Sequence, residues 1–314
     1  MPERGPAHGR ISWPGGKRFA FTIFDDPDSQ TCADSSMVYA LLRDAGLRTT
    51  KAVWPLDLQH PRNSPGDTCA DSAFRRHAQE LQEAGFEIGY HNAAPHDAAR
   101  DETIAGLQAF QSYFGHPPAS MANHYNAEAI YWGSARLSGA RRAIYRAVMP
   151  ARGQRFSGHI ETSPFFWGDV CRETIRYCRN LVFANINTLA VCPFMPYHDP
   201  LRAYVPNWFA SSEGAQYPAF VKMLTTPNLD RLEEEGGACI MYTHFGLGFV
   251  NQGRLEQPFV AAIGDVARRN GWFVPVATLL DYLQQQRGPY TLTESDRSRL
   301  EWRWLGQKLF RGTS

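Results

Sequence analysis

Apolar stretches of strand length alternate with amphipathic stretches of helical period along most of this 314-residue chain. Apolar side chains at i, i+3 and i+4 indicate helices, whereas short runs bounded by glycine, proline or polar residues indicate buried strands. Strands are expected at 19–24, 49–54, 86–90, 119–122, 181–186, 238–242 and 272–274. Helices are expected at 31–45, 71–84, 101–114, 127–148, 169–179, 218–235, 258–269 and 277–285. Prolines interrupt the segment 190–212, which is expected to be irregular.

Strands and helices that alternate at intervals of roughly 30 to 40 residues indicate an α/β fold with a parallel sheet. No glycine-rich turn follows the first strand, and this disfavours an open nucleotide-binding sheet. A barrel-like closure of the strands remains, and the chemistry of such barrels lies at the carboxyl ends of their strands. The candidate residues that follow strands in this sequence are Asp25, Asp26, His91, His124 and His244.

The first strand ends in two adjacent carboxylates, Asp25 and Asp26, followed by Pro27. Burial of a carboxylate is costly unless the group is paired or binds a metal. Neighbouring side chains of a strand point to opposite faces, so both carboxylates share one site only if the chain leaves the strand there. Pro27 favours such a departure because it cannot continue a hydrogen-bonded ladder. A solvated turn is the alternative.

Two histidines follow the strand at 86–90 within a short segment. Asp26 with His91 and His96 would form a two-histidine, one-carboxylate set that leaves positions on a divalent metal open for water and substrate. The two histidines do not share a helical face, but a loop can bring two imidazoles to one ion. The alternative is that each histidine is a hydrogen-bonded loop residue.

Three features together resemble the polysaccharide deacetylases of the NodB-homology type. The segment 22–26, Thr-Ile-Phe-Asp-Asp, is similar to the first motif of that family, and His91 to His96 is similar to its metal-binding histidine pair. Tyr242-Thr243-His244, after a buried strand, is similar to its late catalytic histidine motif. These features occur in the family's order and span residues 19 to about 283, which is nearly the whole chain.

The resemblance implies a distorted NodB-like (β/α) barrel of about seven strands. It also implies a divalent metal of the zinc type, and hydrolysis of an N-acetyl or other acyl group on a sugar or glycan. Asp25 would be the catalytic base and His244 the acid that protonates the departing amine. Asp26, His91 and His96 would bind the metal, which polarises the acyl oxygen and acidifies a bound water.

The sequence departs from the family pattern at two places. The histidine pair is one residue further apart than usual, so His124 is the alternative to His96 as third ligand. No arginine stands in the segment 120–125 to orient Asp25, and another group must hold that carboxylate. A tryptophan and an aspartate usually flank the late histidine in this family. The candidates here are Trp167 for the tryptophan and Asp169 or Asp199 for the aspartate.

Substrate contacts are expected from residues near the strand ends and in the irregular segments, namely Asn123, His124, Tyr125, Trp167 and His198. Two other functions compete with metal-dependent deacylation. One is a metal-free amidase of the ureide-ring-opening type on the same scaffold. The other is a carbohydrate-binding protein without turnover, although a pure binder needs no acid and base such as Asp25 and His244.

Composition narrows the partners and the compartment. The chain has 32 Lys and Arg against 31 Asp and Glu, so no net field favours nucleic acid. The first ten residues contain no apolar run typical of a secretory signal, and no stretch reaches transmembrane length. Six scattered cysteines show no metal-type spacing. We therefore expect a cytoplasmic protein with reduced thiols, a carbohydrate substrate and no nucleic-acid partner.

Residues 1–288 are expected to form one domain, and 289–314 a C-terminal helical tail. The tail carries a basic amphipathic pattern at 293–310, with Leu300 and Trp304 on one stripe. Such a helix can dock on the domain or lie on an anionic membrane. Docking is favoured because the positive excess is small, and peripheral membrane contact is the alternative.

Overall fold

Seven parallel strands close into a ring in the computed structural model, which describes residues 11–58, 60–149 and 156–314. The ring strands are β1 (Phe19–Asp25), β2 (Thr50–Val53), β3 (Glu87–Tyr90), β4 (Ser120–Met121), β5 (Tyr177–Phe183), β7 (Asn207–Ser212) and β8 (Ala238–Thr243). β1 pairs in parallel with both β2 and β8, which closes the ring. The distorted (β/α) barrel of about seven strands expected from the sequence is confirmed.

Further short strands lie outside the ring and make it asymmetric. β11 (Gly271–Phe273) pairs with β1, whereas β6 (Tyr197–His198) runs antiparallel to β7 and also pairs with β12 (Tyr290–Thr291). β9 (Val250–Asn251) and β10 (Arg254–Leu255) form a separate two-stranded ribbon.

Helices surround the ring and cover its outer face. They are α1 (Cys32–Asp44), α2 (Ser72–Glu83), α3 (Arg100–Phe114), α4 (Gly139–Val148), α5 (Gly168–Thr174), α6 (Thr188–Val191), α7 (Tyr217–Met223), α8 (Thr226–Glu235), α9 (Gln257–Ala267), α10 (Val276–Arg287) and α11 (Glu294–Arg311). Every residue of β1, β2, β5 and β8 is buried, as expected for parallel strands covered by helices.

Local sequence signals set several helix ends. The Thr31 hydroxyl caps α1 and the Asp71 carboxylate caps α2, because each accepts a hydrogen bond from an otherwise unpaired amide of the first turn. Gly115 ends α3 in the left-handed conformation, with φ of 80°. These boundaries lie within a residue or two of those expected.

Three expectations for the middle of the chain are wrong. The segment 127–148, expected to be mostly helical with a break around Ser138-Gly139, is α-helical only after that break, in α4. Before it, Tyr131 and Gly133 have positive φ angles that a right-handed α-helix excludes. The strand expected at 181–186 is β5 and begins earlier, at Tyr177. The segment 190–212 contains an additional ring strand, β7.

The helix expected at 218–235 is two helices, α7 and α8. Pro227 stands in the first turn of α8. Proline has no amide hydrogen and fixes φ, so it is tolerated at a helix start but breaks a helix interior. α7 therefore ends at Met223, and a new helix begins at Thr226.

The tail helix α11 packs against α4 and β5. Leu300, Trp304 and Leu305 are buried, and the Glu301 carboxylate forms ion pairs with Arg141 and Arg202. No helix in the described ranges is long and apolar enough to cross a membrane. The first ten residues, to which the expectation about a secretory signal applies, lie outside these ranges.

Candidate active site

A cleft of about 510 Å³ lies at the carboxyl ends of the ring strands. Its wall is mainly polar and aromatic and includes Asp26, Asp28, His91, Asn123, His124, Tyr125, Trp132, Arg136, Arg179, Tyr242 and His244. The strand ends therefore bring together residues that lie far apart in the sequence, as expected for a parallel barrel.

The alternation of side chains along β1 separates the two adjacent carboxylates. Asp25 is fully buried on the side of α1 and β2, where it accepts hydrogen bonds from the Tyr39 hydroxyl (3.1 Å) and the Phe245 amide (2.9 Å). The Lys51 ammonium lies 3.2 Å from it. Burial raises the pKa of Asp25, although Lys51 and the Phe245 amide act in the opposite direction. Asp25 is not part of the cleft wall, so the geometry does not place it where the expected base would act.

Asp26 faces the cleft and pairs with an arginine from across the barrel. Its Oδ1 and Oδ2 accept bidentate hydrogen bonds from Nη1 (3.0 Å) and Nη2 (2.5 Å) of Arg179 on β5. Both side chains are almost fully buried. Burial acts to lower the pKa of Arg179, but the charge of Asp26 and the hydrogen bonds to it raise that pKa overall. The guanidinium also lies over the Tyr242 ring, 4.2 Å from its centroid.

Asp28 lies between two imidazoles. Its Oδ1 is 3.0 Å from Nε2 of His124, and its Oδ2 is 3.3 Å from Nε2 of His91. One potential ligand atom from each of the three residues lies within 4.8 Å of the other two. The turn at Pro27, followed by Ser29 with a φ of 58°, takes the chain away from the strand and leaves Asp28 at the cleft. Burial acts to raise the pKa of Asp28, but the hydrogen bonds and charges of His124 and His91 outweigh that effect. The pKa of Asp28 is therefore well below its usual value.

The two ring nitrogens of His124 have different partners, and its Nε2 is the one directed to Asp28. Its Nδ1 is 2.8 Å from Oδ1 of Asn126, an acceptor, so Nδ1 carries the proton and donates. Burial lowers the pKa of His91. Burial also acts to lower the pKa of His124, but the hydrogen bond to Asp28 raises it overall. Two imidazoles and one carboxylate match the donor set of a zinc-type divalent metal, which would bind with loss of any proton from Nε2 of His124.

Two amides and a buried glutamate hold the loops that carry these histidines. Asn92, with a φ of 65°, accepts from the His124 amide (2.8 Å) and donates to Oε1 of Glu128 (3.0 Å). Asn126 also donates to Glu128 (2.9 Å), and the Ala98 amide donates to its Oε2 (3.1 Å). Burial raises the pKa of Glu128 to about 7, against the lowering effect of these donors.

His96 does not join the set expected with Asp26 and His91. It lies beside His60, with ring centroids 5.0 Å apart, and its ligand atoms approach those of His60 and Glu102 instead. The five-residue separation from His91 and the anchoring of its carbonyl by Asn126 (2.6 Å) place His96 outside the cleft wall. The structure thus does not bring His96 together with Asp26 and His91, whereas His124, the alternative third ligand, lies with His91 and Asp28. Oδ1 of Asp26 lies 3.8 Å from Nδ1 of His91.

His244 faces the cleft from the end of β8. Its Nδ1 donates to the carbonyl of Ala215 (2.8 Å), which leaves Nε2 directed to the acidic groups. Nε2 lies 3.3 Å from the Tyr242 hydroxyl, 3.6 Å from Oδ2 of Asp28 and 3.9 Å from Oδ2 of Asp26. The late histidine thus lies next to two carboxylates of the cleft, Asp26 and Asp28.

The expected substrate residues divide into two sets. Asn123, His124 and Tyr125 line the cleft. Trp167 is fully buried and donates to the Glu128 carbonyl (2.7 Å), and His198 is 3.0 Å from the Pro206 carbonyl through Nδ1. Neither of these two is part of the cleft wall. The other two candidates for the flanking acid are also engaged elsewhere: Asp169 pairs with Arg100, and Asp199 with Arg202 and Arg297.

Sequence reasoning did not assign Asp28 and Arg179. Asp28 follows Pro27 directly, and a third carboxylate just beyond a strand-ending proline is a signal that can be recognised. Arg179 stands inside an otherwise apolar run from Tyr177 to Phe183. A charged residue within a buried strand needs a partner, and this is the available signal for it.

Comparison with known proteins gives structural likeness only. No family model and no curated protein matches the sequence. The solved structure of the PuuE allantoinase covers 93% of this chain and 99% of its own, with a TM-score of 0.50 and 13% identity. A Mycobacterium smegmatis protein provisionally assigned as a polysaccharide deacetylase covers 91% of this chain and 97% of its own, with a TM-score of 0.49 and 13% identity.

A third structure, from Bordetella bronchiseptica, is provisionally assigned as a polysaccharide deacetylase involved in O-antigen biosynthesis. It covers 81% of this chain and 93% of its own, with a TM-score of 0.40 and 11% identity. At this level of identity, the likeness to the allantoinase shows that the two chains share the NodB-like barrel fold.

Proposed function

We propose that this protein is a metal-dependent hydrolase that removes an acetyl or other acyl group from an N-acylated sugar. The observation that carries the proposal is the convergence of Asp28, His91 and His124 beside the Asp26–Arg179 pair and His244. A pure binding site does not need a ligand set, a carboxylate base and an imidazole acid at one place.

Asp28, His91 and His124 would hold the metal. The fit rests on their donor atoms, which lie within 4.8 Å of one another, and on the His91 Nδ1, which has no hydrogen-bond partner among the described residues. When bound, a zinc-type ion supplies a Lewis acid that polarises an acyl oxygen and lowers the pKa of water. Asn126 fixes the His124 tautomer that leaves Nε2 unprotonated for ligation.

Acid and base roles follow from position. Asp26 accepts a proton from the water that attacks the acyl carbon, and Arg179 fixes the orientation of that carboxylate. Protonated His244 donates from Nε2 to the amine nitrogen as the C–N bond breaks, because its Nδ1 is occupied by the Ala215 carbonyl. The products are a carboxylate and a free amine.

The sugar class is supported by two features of the chain. The motifs that resemble the NodB-type deacetylases belong to a family of sugar deacylases, and two aromatic residues, Tyr125 and Trp132, line the cleft. Aromatic faces of this kind provide apolar contact area at low conformational cost.

The test is acetate release from a panel of N-acetylated amino sugars, with metal content measured on the same samples. We expect turnover that a chelator abolishes and zinc restores. His244→Gln should lower turnover roughly 10²- to 10⁴-fold, which is the usual contribution of a general acid. His198→Gln is the matched control, because His198 lies outside the cleft, and it should leave turnover unchanged. Failure of the whole panel in metal-loaded protein would contradict the proposal.

A metal-free amidase is the second candidate, and one observation favours it. The Asp28 carboxylate already interacts with both imidazoles at 3.0 and 3.3 Å, so its charge has close partners without an ion. The shared fold with the PuuE allantoinase is compatible with amide chemistry of that kind. Hydrolysis that persists at full rate in chelator would select this candidate over the metal-dependent one.

A further inference from the structure

One arginine of the cleft wall is buried without an acidic partner. Arg136 ends the 3₁₀ turn Gly133–Arg136 and is 3% exposed. Its guanidinium carbon lies 4.0 Å from the ring centroid of Trp132 and 4.5 Å from that of Trp304. The aromatic rings therefore cover this cation, while its side chain forms part of the same cleft as Asp26, His91 and His244.

The other buried arginines of the described ranges all have carboxylate partners. Arg179 pairs with Asp26, Arg141 with Glu301, Arg202 with Asp199 and Glu301, and Arg297 with Asp199 and Glu294. Arg136 has a long hydrogen bond from Nη1 to the Asn180 carbonyl (3.4 Å) and an interaction with Tyr145, but no ion pair with a described residue.

The charge of Arg136 is retained in this environment. Burial lowers its pKa to about 10, which leaves the guanidinium protonated at neutral pH. Its Nε has no hydrogen-bond partner among the described residues, and the positive charge of Arg179 acts on it unfavourably. Burial of a cation without a partner is costly, so an anion that enters the cleft would offset that cost.

A purely structural role is the competing explanation. Two tryptophan rings provide favourable cation–π contacts with the guanidinium. Such contacts explain why the side chain is ordered, but they leave its Nε proton unsatisfied and do not require a position in the cleft wall. A bound oxyanion would satisfy both features at once, since guanidinium groups match carboxylate and phosphate geometry.

We infer that Arg136 forms a subsite for an oxyanion of the substrate, either a carboxylate or a phosphate. This inference deepens the proposed function and rests on it for the N-acyl sugar part: the sugar would be acidic or phosphorylated. Lys308, on α11, also lines this cleft, and its ammonium donates to the Thr313 carbonyl. The anion would thus lie on the side of the cleft formed by the 3₁₀ turn and the tail helix.

The experiment is calorimetric binding of three probes: N-acetylglucosamine, N-acetylglucosamine 1-phosphate and N-acetylmuramic acid. The first is neutral, the second carries a phosphate and the third a carboxylate, so the two anionic arms distinguish the sources of the oxyanion. His244→Gln protein is used to slow turnover during the titration, because this change leaves the Asp26–Arg179 pair intact. We expect at least one anionic sugar to bind roughly 10- to 100-fold more tightly than the neutral sugar, the range of a charge-assisted hydrogen bond.

Arg136→Gln should abolish that preference, and Arg136→Lys should retain part of it, because the charge remains while the planar donor is lost. Arg142→Gln is the matched control: it removes a nearby arginine that lines a different cavity and should leave the preference unchanged. Melting temperatures establish that each variant is folded. If Arg136→Gln does not fold, the comparison of wild type, Arg136→Lys and Arg142→Gln still decides.

Equal affinity of folded wild-type and His244→Gln protein for all three sugars would overturn the inference. A preference for anions that survives in Arg136→Gln would also overturn it. An anion preference that requires Arg136, in a protein that releases no acetate from any N-acetyl sugar, would support the subsite and contradict the proposed function. The two hypotheses therefore fail separately.

Discussion

Asp26 and Arg179 form a bidentate ion pair across the interior of the barrel, with contacts of 3.0 and 2.5 Å. Asp26 follows the first ring strand, whereas Arg179 lies within the fifth, 153 residues later. The resemblance implies an orienting arginine near residues 120–125 as the partner of Asp25, but the sequence has no arginine there. The structure provides an orienting arginine from β5, and its partner is Asp26.

The stability of this pair can be tested by a double-mutant cycle. Asp26→Asn and Arg179→Met should each lower the free energy of unfolding by roughly 3 to 5 kcal/mol, because each leaves an uncompensated buried group. The double variant should be more stable than the sum of the two losses predicts. Urea unfolding of the four proteins measures the coupling. Strict additivity would show that the two groups do not interact energetically.

The two adjacent aspartates should differ in what they contribute. Asp26→Asn should lower acetate release roughly 10²- to 10⁴-fold, as expected for loss of a general base. Asp25→Asn should instead lower the melting temperature, because it disturbs the buried contacts with Lys51 and Tyr39, and should leave turnover of the folded protein within a few-fold. The reverse pattern would restore Asp25 as the base and would remove that role from Asp26.

The histidines at 96 and 124 provide a direct test of the ligand set. His124→Ala should lose bound zinc in elemental analysis of purified protein, because it removes one of three donors that lie within 4.8 Å of one another. His96→Ala, the matched control, should keep zinc at this centre, because His96 lies with His60 and Glu102 instead. Because His60, His96 and Glu102 could themselves hold an ion, acetate release is measured on the same samples. Loss of both zinc and acetate release in His96→Ala alone would restore the ligand set expected from the sequence.

The sequence was sufficient for the barrel and for most of the strand ends that form the cleft. Strand–helix alternation and carboxylate or histidine residues after strands are local signals, and the closed ring confirms the fold that they predict. β7 was not predicted, because the prolines that precede it indicated an irregular segment instead of a short buried strand. Local pattern also could not pair Arg179 with Asp26, since that contact depends on how the ring closes.

The choice between adjacent or nearby candidates was beyond the sequence for a different reason. Asp25 and Asp26 have nearly the same local context, and only the register of β1 decides which one faces the cleft. His96 and His124 both follow strands, and the path of each loop decides which imidazole meets His91. Asn92 and Asn126 determine those paths through hydrogen bonds to Glu128. Asn92 lies 36 residues before Glu128 in the sequence, and Asn126 lies two residues before it.

Glu128 should make stability depend on pH in a defined direction. Burial raises its folded-state pKa from 4.5 to about 7. Its contribution to the free energy of unfolding is therefore fully present below about pH 4.5. This contribution falls as the pH rises to about 7 and does not change further at higher pH. The total loss is about 3 kcal/mol at most.

Urea unfolding between pH 4.5 and 8 measures this effect. The difference in stability between wild type and Glu128→Gln should change over that window with the stated sign, because glutamine does not titrate. Glu83→Gln removes an exposed glutamate and serves as the control, with a difference that does not change with pH. A flat difference for Glu128→Gln would show that the buried carboxyl has an ordinary pKa.

The tail helix α11 has one face that is docked and one that is exposed, and two tryptophans separate their roles. Trp304 is fully buried beside Tyr145 and Arg136, so Trp304→Ala should lower the free energy of unfolding by roughly 3 to 5 kcal/mol. Trp302 is 47% exposed, and Trp302→Ala should cost less than about 1 kcal/mol.

The exposed face of α11, with Trp302, Leu309 and Phe310 (89% exposed), is the surface that would make peripheral contact with an anionic membrane, the alternative to docking. Co-sedimentation with anionic vesicles tests that contact: if it exists, Phe310→Ser weakens it without a change in melting temperature. Absence of vesicle binding by wild type would leave docking as the only role of the helix.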